Sequence, residues 1–185
     1  MRVISGKYKG QSLVSFEARH IRPTTDRIKE TLFNKFMGEV QEARVLDLFA
    51  GTGSLGLESL SRGARFCLFV DAHRKSLEIL RKNIEKLKVS QLDYGIVQKE
   101  VVSFLGKYEG EPFDVVLVDP PFTEKMAHEV LTALAGSKVF HSETKVAIES
   151  VKKERLEDSY STLSRYDHRD YGDKILSFFH FSDDN

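Results

Sequence analysis

One cysteine stands in 185 residues, so no internal disulfide is available and no cysteine cluster can hold a metal. That residue, Cys67, lies among Phe66, Leu68 and Phe69, the setting of a packed thiol rather than a nucleophile. The histidines, His20, His73, His128, His141, His168 and His180, are scattered without metal-ligand spacing, and none is assigned chemistry. No apolar run approaches the ~20 residues of a membrane helix. The amino terminus, Met1-Arg2-Val3-Ile4-Ser5-Gly6-Lys7, lacks the hydrophobic segment of a signal peptide. A cytoplasmic protein with no membrane partner and no metal is the expectation. No Pro-Cys dipeptide occurs, which argues against methylation of a cytosine carbon through a thiol adduct. No His-x-Glu is accompanied by a Cys-x-x-Cys, which argues against a zinc deaminase. Repeats, low-complexity tracts and long linkers are also missing.

Net charge is zero, which excludes a uniformly basic coat, but the charge is unevenly spread. Residues 1–35 hold Arg2, Lys7, Lys9, Arg19, Arg22, Arg27, Lys29 and Lys35 against Glu17, Asp26 and Glu30. A basic arm on an acidic body suits a protein that grips phosphates locally, although a solvated charged surface would look the same.

At 41% hydrophobic and 30% charged the chain fits one globular domain with a small appendage. We expect an amino-terminal extension over 1–43 and a main domain over 44–182. Residues 2–15 read as a hairpin, with Val3-Ile4 and Ser12-Leu13-Val14 flanking a turn-prone centre. Arg22-Pro23-Thr24-Thr25 then offers threonine caps to a helix over Asp26 to Met37, with Ile28, Leu32, Phe33 and Phe36 as its apolar stripe. From Arg44 the pattern alternates: strand 44–49, helix 54–62, strand 66–70, helix 73–88, strand 92–97, helix 101–107, strand 113–118, helix 124–135, strand 144–149. Such alternation predicts an α/β fold, a mostly parallel sheet covered on both faces by helices. Leu163 to Tyr166 and Ile175 to Phe181 close it as an antiparallel hairpin around Tyr171-Gly172-Asp173.

Two strand ends carry chemistry. The run Arg44-Val45-Leu46-Asp47-Leu48-Phe49 opens into Ala50-Gly51-Thr52-Gly53-Ser54-Leu55-Gly56, a G-x-G-x-x-G turn between strand and helix, and Asp71 follows at the end of the next strand. That spacing is shared by NAD and S-adenosylmethionine sites, and Asp71 could accept from the ribose hydroxyls of either. Asp47 separates them. A carboxylate there would repel a pyrophosphate, whereas the ammonium and sulfonium of S-adenosylmethionine are stabilised by a nearby anion. A turn or helix-capping carboxylate is the lesser alternative for Asp47. Glu100 either accepts from the adenine amine, with the Val101 amide meeting the ring nitrogen, or is a surface acid favoured by the helix dipole.

The second strand end is Asp119-Pro120-Pro121-Phe122. An exocyclic nucleobase amine is a weak nucleophile because its lone pair is delocalised into the ring. Asp119 and the Pro120 carbonyl could accept its two hydrogens, letting the nitrogen pyramidalise toward a donor methyl. Consecutive prolines would hold that carbonyl in place, and Phe122 would stack on the base. A rigid turn with no chemistry is the alternative.

These residues resemble the bacterial 16S rRNA (guanine-N2)-methyltransferase family nearly end to end. The likeness lies in Arg2-Val3-Ile4-Ser5-Gly6-Lys7-Tyr8-Lys9-Gly10, in Arg22 through Asn34, in Leu46 through Gly53 with Ser61-Arg62-Gly63-Ala64, in Asp119 to Phe122, and in Tyr171-Gly172-Asp173 with Leu176-Ser177-Phe178. The amine motif alone is shared with DNA adenine and protein glutamine methyltransferases; the two amino-terminal signatures narrow the match. The resemblance implies a Rossmann-like S-adenosylmethionine-dependent fold. It implies cofactor contacts from Asp47, Phe49, Gly51, Thr52, Gly53, Asp71, Ala72, Glu100 and Val101, and an amine site at Asp119, Pro120, Pro121 and Phe122. It further implies a 16S rRNA target in the head of the small subunit near the P site, met in the subunit or an assembly intermediate; a monomer is the default for so small an enzyme. Glu100 stands where the family usually has aspartate and Phe122 where tyrosine is usual. Arg2, Lys7, Tyr8, Lys9, Arg22 and Arg27 are the expected RNA contacts, against plain solubility or internal ion pairs. A DNA adenine-N6 methyltransferase, an NAD-dependent oxidoreductase and a catalytically silent RNA-binding protein are the competing functions.

Overall fold

Strand and helix signals alternate from Arg44 onward, and they assemble into an eight-stranded sheet of order β3-β2-β1-β4-β5-β8-β7-β6. The structure is a computed structural model that describes residues 1–15, 26–122 and 125–182. Helix α1 (Asp26–Lys35) precedes β1 (Arg44–Leu48), α2 (Ser54–Ser61), β2 (Phe66–Asp71), α3 (Arg74–Leu87) and β3 (Tyr94–Gln98). There follow α4 (Val101–Leu105), β4 (Phe113–Val118), α5 (Met126–Ala135), β5 (Phe140–Val151), a 3-10 turn over Lys152–Glu154, β6 (Ser159–Tyr160), β7 (Leu163–Asp170) and β8 (Lys174–Phe181). β1 to β5 pair in parallel, and β8, β7 and β6 add antiparallel strands at one edge.

Residue alternation along the strands divides the core into two layers. Val45, Val115, Leu117, Ala147 and Phe178 face one side with α1, α2 and α3. Leu46, Leu48, Val116, Val118 and Ile148 face the other with α4 and α5. Helix α3 shows why the pattern works locally. Leu77, Leu80, Ile84 and Leu87 recur at helical spacing on its buried side. The chain leaves the helix at Lys88, with a left-handed φ of 54°.

Several boundaries depart from the sequence expectation. β5 runs from Phe140 to Val151 rather than 144–149, because Phe140 pairs with Phe113 of β4 and β8 pairs with its far end from Lys145↔His180 to Val151↔Lys174. β6 was not anticipated; two residues carry too little pattern to register. The amino-terminal hairpin is present in short form, with an antiparallel bridge at Arg2↔Ser12, the Val3 amide on the Gln11 carbonyl, the Gly10 amide on the Val3 carbonyl and the Leu13 amide on the Met1 carbonyl, and with residues 5–10 wound into turns. Those turns are closed by their own hydrogen bonds, Lys9 to Gly6 and Gln11 to Tyr8, and docked on α2. The Lys7 amide donates to the Ser61 carbonyl at 2.7 Å, and a Cβ on Gly6 would lie 1.7 Å from that oxygen. Val3, Tyr8, Leu13, Ile28, Leu32, Phe33 and Phe36 join the same apolar cluster as Val45 and Leu117, so residues before 44 share the main core. Among the described residues no helix is long and apolar enough to cross a membrane.

Candidate active site

Strand order reverses between β1 and β4: β2 and β3 lie to one side, β5 to the other. In open α/β sheets, ligands bind outside the carboxyl ends of the strands at such a switch point. The Asp47–Gly53 turn leaves β1 there, Asp119 to Phe122 leave β4, and the Asp119 amide donates to the Leu48 carbonyl at 3.4 Å, tying the two loops together.

The glycine turn is built by hydrogen bonds rather than by glycine alone. Phe49 takes a left-handed φ of 59°, unusual for a bulky residue and a mark of a backbone held by its surroundings. Asp71 supplies much of that hold. One carboxylate oxygen accepts from the Gly51 amide at 2.8 Å and the other from the His73 amide at 2.7 Å. Asp71 thus fixes the turn, and any ribose contact uses the lone pairs those bonds leave. Gly53 donates to the Ala50 carbonyl at 2.7 Å, and the Thr52 carbonyl accepts from Asn83 at 2.9 Å. Gly56 is required for close approach: a Cβ there would sit 2.3 Å from Phe69 and 2.6 Å from the Cys67 sulfur.

Asp47 is fully buried, and one oxygen accepts the Gly56 amide at 2.8 Å. Burial pushes its carboxyl up to about 8; the Gly56 bond opposes that rise, while the charges of Asp119 and then Asp71 add to it. Three carboxylates therefore meet at the ends of β1, β2 and β4. A cation arriving there is stabilised and draws Asp47 into its ionised form, whereas a pyrophosphate would be opposed.

Glu100 caps α4, accepting from the Val102 amide at 3.0 Å and the Ser103 amide at 2.7 Å. Its carboxylate is thus already engaged, and an adenine amine would share it. The Val101 amide sits at the first helical position, where no intrahelical acceptor exists. Ala72 is exposed beside Asp71, and its carbonyl accepts from Gln98. On the other loop Pro120 is buried, Pro121 exposed and Phe122 43% exposed, with the Lys174 ammonium 4.3 Å from the Phe122 ring centre. Phe122 borders a groove of about 1280 Å³ that also meets Lys125, Lys153 and Arg155, with Glu154 and Asp173 on the same lining.

The basic arm is arranged differently from its sequence reading. Tyr8 is buried, with its amide on the Ser61 hydroxyl at 2.9 Å, so its ring is core and not a platform for an unstacked base. Lys29 is fully buried, its ammonium on Glu58 at 3.1 Å, the Arg2 carbonyl at 3.0 Å and the Ser54 hydroxyl at 3.2 Å. Burial lowers its pKa, against the attraction of Glu58. Arg2 pairs with Asp26 at 3.0 Å, Lys35 with Asp167 at 2.9 Å, and Arg27 lies over the Tyr171 ring at 5.6 Å. Lys7 and Lys9 are exposed, at the Ser61 end of α2. Arg22, Arg19, His20 and the Thr24-Thr25 caps lie outside the described residues. Sequence reasoning missed Asn83, Glu58 and Glu149; a polar residue inside an otherwise apolar periodic face is the signal Asn83 and Glu58 offer.

The family described as Conserved hypothetical protein 95 matches residues 1–180. The chain is 36% identical over 150 residues to Ribosomal RNA small subunit methyltransferase D of Escherichia coli K12, covering 81% of this chain and 74% of that one. It is 34% identical over 157 residues to the Haemophilus influenzae protein of the same name, covering 84% and 81%. The solved structure of putative methyltransferase yhhF from Escherichia coli superposes with a TM-score of 0.87 at 31% identity over 98% of both chains. SMU.776, a putative methyltransferase complexed with SAH, shares the fold at a TM-score of 0.68 and 13% identity, over 82% of this chain and 49% of that one. With all but the last residue of the sheet, both loops and the amino-terminal segment inside the matched span, this chain belongs to the ribosomal RNA small subunit methyltransferase D family.

Proposed function

We propose that this protein transfers a methyl group from S-adenosylmethionine to the exocyclic N2 amine of a guanine in 16S rRNA, within the small subunit or an assembly intermediate. One observation carries the reading: Asp119 and Asp47, from two strands distant in sequence, meet at the switch point, one next to a buried proline and an exposed aromatic, the other below a glycine turn. Asp47, Asp71 and the amides of the glycine turn hold the cofactor, with Glu100 and Val101 at its adenine. A carboxyl that burial has pushed to about 8 gains from a cationic ligand, which fits S-adenosylmethionine and not NAD. When bound, the cofactor supplies an electrophilic methyl on a sulfonium.

The protein's own residues then act on the amine. Asp119 and the Pro120 carbonyl accept its two hydrogens, so the nitrogen lone pair turns out of the ring plane and toward the methyl. Asp119 stabilises the positive charge that develops and takes up the proton afterwards. Phe122 stacks on the base plane, and Lys125, Lys153 and Arg155 along the adjoining groove offer charge to the RNA backbone.

The test is tritiated methyl transfer to small-subunit particles from a strain lacking the modification, followed by mass spectrometric mapping of the methylated nucleotide. Label at the N2 position of one guanine is expected. Comparable incorporation into duplex DNA at adenine overturns the reading in favour of a DNA amino-methyltransferase.

A further inference from the structure

Glu149 stands one step past the Val118↔Ile148 pair of the β4–β5 ladder, beside Asp119. Neighbouring strand backbones are about 5 Å apart. Alternation along β5 places Glu149 on the same face as Ala147, and alternation along β4 carries Asp119 to the face of Leu117. Both acids therefore leave the sheet on the side where α2 and the glycine turn lie. Glu149 is 3% exposed. Its Oε1 is held by the Lys174 ammonium, but its Oε2, equally buried, has no hydrogen-bond partner among the described residues. Bare carboxylate oxygens are rare in protein interiors and call for an explanation. The same Lys174 ammonium lies over the Phe122 ring at 4.3 Å, so the bare oxygen, its counter-ion and the stacking residue form one cluster against Asp119.

We propose that Glu149 is a specificity-determining residue whose free oxygen accepts the ring N–H next to the target amine. This rests on the guanine-N2 reading above and says how that base is chosen. Guanine presents N1–H, a donor, beside its N2 amine. Adenine and cytosine present ring nitrogens that are acceptors beside theirs, and a carboxylate facing an acceptor is repelled with no hydrogen bond to gain. A Glu149 carboxylate next to Asp119 thus matches two adjacent donor positions, the amine and the ring N–H, a pattern only guanine offers among these three bases. Lys174 compensates the charge that makes such a carboxylate tolerable in the interior. Phe122, moving from Lys174 onto the base, opens the pair toward the base edge.

The experiment compares particles carrying guanine or 2-aminopurine at the mapped position. 2-Aminopurine keeps the N2 amine but has no N1–H. The native protein is expected to favour guanine by about 10- to 100-fold in kcat/KM, the size of one charge-assisted hydrogen bond. Glu149→Gln is expected to lose most of that preference through slower transfer to guanine, with its S-adenosylmethionine affinity unchanged. Equal rates on the two bases by the native protein overturn the proposal without any variant, and leave the guanine-N2 reading intact. An unchanged preference in a folded Glu149→Gln protein overturns it as well. Transfer to neither base removes the underlying reading first.

Discussion

Asp47 spends one oxygen on the Gly56 amide and lies against two other carboxylates in a fully buried setting, so its protonation is coupled to whatever cation arrives. Its ordinary value is 3.8 and burial takes it to about 8. In that window the folded protein keeps a proton that the unfolded chain has lost, so the contribution to stability that is full below 3.8 falls steadily with rising pH and is gone by about 8. A bound cation favours the carboxylate and expels the proton. Affinity for S-adenosylmethionine is therefore expected to climb between pH 6 and 8, by up to about tenfold per unit, and to level off above. Calorimetry across that range checks it, with Asp47→Asn expected to abolish the slope; a flat native profile would detach Asp47 from the ligand. Asp119 has a different duty. Asp119→Ala should remove methyl transfer with cofactor affinity nearly intact, and Phe122→Ala should lose only the ~1–3 kcal/mol of a stacking contact. Single-turnover kinetics beside cofactor titration separates the two, and a matching loss of cofactor affinity in Asp119→Ala would refute its assignment to the amine.

At the scale of elements, α2 is the piece on which the site depends. Its first turn carries Gly56, its interior Glu58 and its last turn Ser61, so it touches β1, the buried lysine of α1 and the amino-terminal turns at once. Gly56→Ala is expected to destabilise the fold by about 1–3 kcal/mol, because the added methyl meets Phe69, Cys67 and the Asp47 carboxylate, none of which has room to retreat. Chemical denaturation measures that cost, and the same variant should bind S-adenosylmethionine more weakly since the turn must lift. Glu58 is the second test of the element. Its carboxylate accepts from the Ile4 amide at 2.8 Å, the Ser5 amide at 3.0 Å and Arg62 at 2.8 Å, besides holding Lys29. Glu58→Ala leaves a buried ammonium and two backbone amides without their acceptor, so a loss of about 3–5 kcal/mol is expected, larger than that of Lys29→Met. Paired melting curves that rank the two variants the other way would show that Glu58 is not the hub.

For the whole molecule, the question is which surface meets RNA. The Lys7 and Lys9 turn is pinned at the Ser61 end of α2, and α2 starts at the glycine turn, so about 10 Å of helix separates the two. Phe122 opens instead onto the groove of Lys125, Lys153 and Arg155. Two of those cations, Lys125 with φ 71° and Arg155 with φ 48°, sit on left-handed backbone. Reversing Lys153 and Arg155 to glutamate should flatten the salt dependence of RNA binding more than reversing Lys7 and Lys9. Filter binding across a salt series reads both slopes. A larger effect from Lys7 and Lys9 would return the amino-terminal turn to the RNA face.

Local periodicity and turn chemistry in the sequence determined the alternation of strands and helices, the glycine turn after β1 and the proline turn after β4, because each depends on residues within a few positions of one another. The apolar stripe of α1 was legible for the same reason. What lay beyond the sequence was every relation between distant segments. Asp47 and Asp119 meet because β4 pairs with β1, which no local pattern encodes. Tyr8 and Lys29 read as surface groups, yet Ser61 takes the Tyr8 amide and Glu58 the Lys29 ammonium, and both residues are buried. Glu149 carries no mark in a strand of mixed residues; only the β4–β5 register sets it beside Asp119, and only packing leaves one of its oxygens bare.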